Sequence, residues 1–265
     1  MRYALLLPLF AALILAPAPG LEPTDVVDRS VKNMSKDWAA QLHYRYQQRE
    51  IEERLGANGG IKSKSDITYE VAILNGSDYR TVIARNNEPL PADQQAEQNE
   101  KLKAEGLRRA HETPVDRAHR IAKFNKDRIQ EQKMLLEMVH AFDFHPKGSE
   151  MVNGRKTWVF EASVKPGYHS DSHEGKVLAA MRGKLWIDQQ DCQWVKVEAE
   201  VTRSVPFVFG LASVVPGTRF LLEQKPVDAK IWLPIHFETR VSANVLWAKK
   251  RTVEEETYSA YQLNN

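Results

Sequence analysis

The chain has 265 residues, 42% of them hydrophobic and 27% charged, with a formal charge of +2. That length and composition build a real core, in one large β-rich domain or two small ones. The near balance of charge excludes nucleic acid as the main partner, because that footprint needs a large excess of Lys and Arg. A single cysteine, Cys192, excludes a disulfide within the chain and leaves intermolecular pairing as its only covalent option.

Residues 1–20 read as an export leader: Arg2, an apolar run from Ala4 to Ala16, then small residues and prolines, with cleavage expected after Gly20. The run is shorter than the ~20 apolar residues of a spanning helix, and no cysteine near the cleavage position offers a lipid anchor. A soluble, periplasmic protein starting near Leu21 is expected. Glu22 to Gln41 follows as a helix, with Val27, Val31, Met34 and Trp38 at helical spacing and Thr24 as its N-cap. Leu42 to Arg54 is long and polar, with Tyr44 and Tyr46 on one side. Ser65 to Leu74 and Tyr79 to Arg85 are strands joined at Asn75-Gly76, a hairpin signal.

The composition then shifts. Gln94 to Ala110 is a Lys/Glu-rich helix with few core positions, and a second helix starts at Thr113-Pro114, with Thr as cap and Pro in the first turn. Only the far end of this second helix, from Met134 to Phe142, is apolar. Strands resume with Glu150 to Val152, a turn at Asn153-Gly154, and Lys156 to Val164; Tyr168 to Lys176 reads as a polar loop. Met181 to Val201 is the central hairpin, with Leu185, Ile187, Val195 and Val197 assigned to its apolar side. Val205 to Gly217 is apolar but broken by Pro206, Gly210, Pro216 and Gly217, and is expected to be an irregular lip. Thr218 to Gln224, Lys230 to Val241 and Val245 to Gln262 complete the strands, Pro234 marking an edge or a bulge. The fold class is α+β, mainly antiparallel β: an open curved sheet with an N-terminal helix and a helical insertion at about 91–140, forming one domain over 21–265.

Several short motifs, namely Asn153-Gly154-Arg155, Gly183-Lys184-Leu185-Trp186-Ile187-Asp188, Lys196-Val197-Glu198, Trp232-Leu233-Pro234 and Tyr258-Ser259-Ala260-Tyr261, resemble the outer-membrane lipoprotein-sorting (LolA-like) superfamily, in particular a bacterial branch with a helical insertion. The resemblance implies an unclosed β-barrel whose apolar concave face is capped by helices, and a role in carrying acyl chains of lipoproteins across the periplasm. The charged insertion from Pro91 to His140 departs from that plan. No catalytic motif of the family carries over.

Candidate chemistry is sparse. His169-x-Asp171-x-His173-Glu174 is the densest group of metal-ligand types but lacks the spacing of a structural zinc site, so neither metal nor cofactor is expected. No nucleophile elbow or phosphate loop is present, and the chain is not expected to be an enzyme. Arg117, Arg120, Lys123 and Lys126 form a basic stripe that is either a solvated face or a contact for anionic headgroups or an acidic partner. The candidate groove residues are Trp158, Phe160, Leu185, Ile187, Val195, Val197, Ile235 and Phe237, with Phe207 and Phe209 of the lip closing over a bound chain. In a closed domain these are ordinary core; in an open half-barrel they line a cavity for a lipid, an acyl chain or a lipoprotein. The alternative function is a structural or regulatory envelope protein that binds a protein partner.

Overall fold

The computed structural model of the protein describes residues 22–207, 212–246 and 248–264, leaving out the side chains of residues 131, 134, 135 and 207. The expected leader, residues 1–20, lies outside the described residues. Helix α1 (Pro23–Ala40) has a proline in its first turn, one residue ahead of the expected Thr24 cap, and hands over through a 3-10 turn (Gln41–His43) to strand β1 (Tyr44–Leu55). Strands β2 (Ile61–Leu74) and β3 (Ser77–Arg85) turn at Asn75 and Gly76, whose φ angles of 49° and 93° are those of the hairpin turn that Asn-Gly favours. A Cβ on Gly76 would stand 3.0 Å from Ile121 Cδ1, so the glycine also lets the hairpin tip lie against a helix.

After the short β4 (Glu88–Pro89) come α2 (Ala92–Ala110) and α3 (Pro114–Ala141), the latter capped by Thr113, whose hydroxyl accepts from the Asp116 amide at 3.1 Å. Strands β5 (Phe142–Val152) and β6 (Arg155–Val164) turn at Asn153-Gly154, again with positive φ at both residues. The expected polar loop holds one short helix, α4 (His173–Leu178), which Ser172 caps through the Gly175 amide; Gly175 in a six-residue helix masks its periodicity. The remaining strands are β7 (Met181–Asp188), β8 (Trp194–Val201), β9 (Val205–Phe207), β10 (Ala212–Val214), β11 (Arg219–Pro226), β12 (Trp232–Val245) and β13 (Ala248–Leu263). The lip is therefore more regular than its prolines suggest: β9 pairs with β10, β10 pairs with the end of β12, and Val205 is buried.

Among the described residues, thirteen strands make one antiparallel sheet in the order β4-β3-β2-β1-β13-β12-β11-β8-β7-β6-β5, with β9 and β10 attached at β12. The two runs of strands on either side of the helical insertion are joined by the C-terminal strands. β1 pairs with β13 and β8 with β11, so α2 and α3 are an excursion from a continuous sheet. β4 and β5, the two ends, do not pair among the described residues, and the sheet stays open. Pro234 sits beside a register shift between Glu223 and Gln224 of the partner strand: β12 is central, and the proline is accommodated by a bulge.

Candidate functional site

The apolar half of the concave face is built by strand alternation. Phe160 pairs with Leu185 and Leu185 with Val197, while Trp158 pairs with Ile187, so these five side chains share one face. They pack in a single cluster with Val26, Val27, Val31 and Met34 of α1, Met138 and Val139 of α3, Phe144 and Trp194. Val195, assigned by alternation to the same side, is not among them. A register shift between Trp186 and Ile187 sets Ile187 opposite Trp194, and Val195 packs instead with Val159, Trp186 and Trp232. One inserted residue on one strand reverses the facing of its neighbour. Phe237 lies opposite Leu222 and so keeps the concave face, whereas Ile235 falls in the bulge between Pro234 and His236 and has no partner on β11. Phe209 lies outside the described residues, and of Phe207 only the backbone in β9 is described.

This half is packed. What remains is an apolar cavity of about 50 Å³ beneath the last turns of α3, lined by Met138, Val139, Phe144, Leu178, Leu185 and Val197 among others. A ligand pocket is typically ~300–1,000 Å³, so the covering helices occupy the space of a ligand. Polar contacts fix α1 in place: Trp194 Nε1 donates to Ser30 Oγ at 2.8 Å, and Asn33 Nδ2 to the Asp191 and Cys192 carbonyls at 3.2 Å. Cys192 is buried under the same helix, its thiol 3.5 Å from the Val26 carbonyl and its pKa pushed up by burial. Pairing with another chain is thereby blocked. In the native protein a thiol reagent such as Ellman's should leave Cys192 unmodified, reacting only after denaturant is added; stoichiometric native labelling would contradict this packing.

Asp37, in the last turn of α1, ties that helix to the strands. Its Oδ2 accepts from Gln193 Nε2 at 2.5 Å and from the Trp232 amide at 3.2 Å. The residue is 4% exposed and sits at the negative end of the helix dipole. Burial pushes its pKa up to about 6, against the pull of those two hydrogen bonds.

The other half of the concave face is polar and aromatic. Tyr44 and Tyr46 do face one side, both against Tyr261, at ring separations of 6.3 and 5.2 Å. Beyond them a cavity of about 420 Å³ lies between α1, α3 and strands β1, β2, β3 and β13, lined by Trp38, Tyr46, Glu50, Phe124, Glu256 and Tyr258 among others. Gln48 Nε2 donates to Glu50 at 3.1 Å and to Glu256 at 3.0 Å, Arg80 pairs with Glu50, and the Tyr258 hydroxyl donates to Glu256. Burial, followed by the Glu256 carboxylate, raises the Tyr258 pKa. Apolar alternation does not reveal these residues, because β1 is polar on both faces; the Tyr44/Tyr46 pair is its one visible signal.

The basic stripe on α3 divides. Arg120 donates to Glu112 at 2.6 Å, to Ser77 Oγ at 2.8 Å and to the Asn75 carbonyl at 3.1 Å. Arg109 of α2, 6% exposed, binds the carbonyls of Leu74, Ser77 and Asp78 and pairs with Glu105. These two guanidiniums clamp the β2–β3 hairpin tip, so Arg120 holds the fold together and is not available to a headgroup. Arg117, Lys123 and Lys126 remain exposed.

On the opposite face of the sheet a cleft of about 670 Å³ is lined by Glu161, Glu198, Glu200 and Glu238 against Arg182, Lys184, Arg219 and Arg240. Arg182 and Arg219 meet Glu200, and Arg240 meets Glu238, as a charge-balanced, solvated surface. Among the described residues no three His, Cys, Asp or Glu side chains come together to hold a metal. No helix there is long and apolar enough to cross a membrane.

No family model and no curated protein matches the sequence. Similar solved structures include an outer membrane lipoprotein-sorting protein domain from Vibrio parahaemolyticus, with a TM-score of 0.35 and 10% identity, covering 90% of this chain and 94% of that one. A LolA superfamily protein from Nitrosomonas europaea has a TM-score of 0.32 and 10% identity, covering 89% and 94%. A DUF1329 family protein from Desulfovibrio piger has 0.31 and 11%, covering 90% and 93%. The first two bear the name of the superfamily that the sequence motifs resemble.

Proposed function

We propose that the protein is a non-enzymatic binding protein of the cell envelope that takes an acyl chain, in a lipid or on a lipoprotein, into the apolar half of its concave face. The supporting observation is the cover over that face: helices, not a second sheet, with an apolar cavity of about 50 Å³ left under the end of α3. Admitting a chain requires the last turns of α3 to lift. Exposing the half-buried Met138 and Val139 costs at most roughly 3–6 kcal/mol, whereas burying about a dozen methylenes returns roughly 10 kcal/mol before the entropy of association is subtracted. The leader-like residues 1–20 support export to the periplasm. Lys123 and Lys126, exposed on the middle turns of α3, suit anionic headgroups.

Titration with a fluorescent fatty acid, alongside native mass spectrometry of protein purified from its own periplasm, tests this reading. Saturable binding, competed by unlabelled fatty acid and weakened when Ala199→Leu fills the cavity, is the expected result. No binding and no acyl-bearing species in the native spectrum would overturn it. The packed state of the apolar half favours a second reading, in which the groove stays filled and the protein binds a protein partner; under it both measurements give nothing.

A further inference from the structure

The polar half of the concave face plays no part in holding an acyl chain, yet it contains the larger cavity and needs no helix to move. We propose that the cavity of about 420 Å³ between α1, α3 and strands β1, β2, β3 and β13 binds an alkylammonium group, carried by a free polyamine or by a lipid headgroup. Its lining holds four carboxylates, Glu50, Asp78, Asp127 and Glu256, and two guanidiniums, Arg80 and Arg128, a net charge of −2 from four negative and two positive groups.

Both guanidiniums are committed. Arg80 pairs with Glu50 and lies 3.9 Å from the centre of the Tyr69 ring. Arg128 donates to the Trp38 carbonyl, with its guanidinium 5.0 Å from the Trp38 ring centre. Neither Asp78 nor Asp127 is in an ion pair among the described residues. Unneutralised negative charge therefore stands beside the rings of Tyr46, Phe124 and Tyr258, and carboxylates with aromatic faces are the surroundings that hold an ammonium group. An anion would meet the same carboxylates as repulsion.

The test is calorimetric titration of the full mature chain at low salt, in two arms: spermidine in solution, and phosphatidylethanolamine vesicles with phosphatidylglycerol vesicles as the control that lacks an ammonium group. Binding in the spermidine arm assigns a free amine, and binding in the phosphatidylethanolamine arm alone assigns a headgroup. In either case Asp78→Asn with Asp127→Asn, which brings the cavity to zero net charge, should weaken binding about tenfold. Both side chains are exposed, so the melting temperature should stay at the wild-type value. Fatty-acid binding by this double variant should also be unchanged, which keeps failure here separate from failure of the acyl-chain reading. Absence of binding in both arms, or equal affinity in the double variant, would overturn the proposal.

Discussion

Replacing Asp188 by alanine is expected to destabilise the fold by about 3–5 kcal/mol, the usual consequence of removing one member of a buried ion pair. Asp188 is 1% exposed at the end of β7. Arg155, at the start of β6, donates to it through Nε at 2.7 Å and Nη2 at 2.9 Å, pairs also with Asp191, and lies 5.2 Å over the Trp232 ring. The same carboxylate accepts from the amides of Gln190 and Asp191, at 2.9 and 2.6 Å, and so closes the turn between β7 and β8. Alanine would leave the guanidinium over Trp232 with Asp191 as its one remaining carboxylate and two turn amides without an acceptor. Asp188→Asn keeps an acceptor for those amides and should lose less. Thermal denaturation reads the difference: a fall in Tm of roughly 10 °C for alanine is expected for a domain of this size, and a fall under 2 °C would show that this cluster does not hold the sheet.

A pH titration of stability should separate wild type from Asp37→Asn. The pKa of Asp37 is raised from 3.8 to about 6 in the folded chain, so the folded state holds a proton that the unfolded state has released between those values. The stability carried by that proton is fully present below about pH 3.8 and is lost as pH rises through about 6, a change of up to about 3 kcal/mol. Asparagine retains the acceptor for Gln193 Nε2 and the Trp232 amide and removes the charge. The variant should therefore be the more stable protein at pH 7, by about 1–3 kcal/mol, with the gap closing by pH 4. Comparing the two proteins cancels the carboxylates with opposite shifts, such as Glu105, held down to about 2 by Arg108 and Arg109. Parallel stability curves for the two proteins from pH 4 to 7 would show that Asp37 does not carry this linkage. Because Asp37 fastens α1 over the apolar half, the same titration also reports how firmly that cover is held.

Local signals in the sequence determined much of the architecture. Asn75-Gly76 and Asn153-Gly154 each demand two residues in the left-handed region, which few other dipeptides supply, and both became hairpin turns. Thr113-Pro114 started α3 because capping and fixed φ act within one turn. Alternation correctly brought together Trp158, Phe160, Leu185, Ile187 and Val197, since the facing of a strand residue follows from its neighbours two positions away.

What the sequence left open depended on long-range contacts. The bulge that turned Val195 to the opposite face exists only in the pairing of β7 with β8, where Ile187 meets Trp194. Arg120 resembled the exposed cations around it until the β2–β3 tip, more than forty residues earlier, presented the Ser77 hydroxyl and the Asn75 carbonyl. That the apolar groove is filled follows from where α1 docks, and that β1 faces a cavity through Tyr46, Gln48 and Glu50 follows from α3 crossing above it. Periodicity tells which side chains share a face, but tertiary packing alone decides whether that face meets a helix, a ligand or water, because the covering element comes from a distant part of the chain.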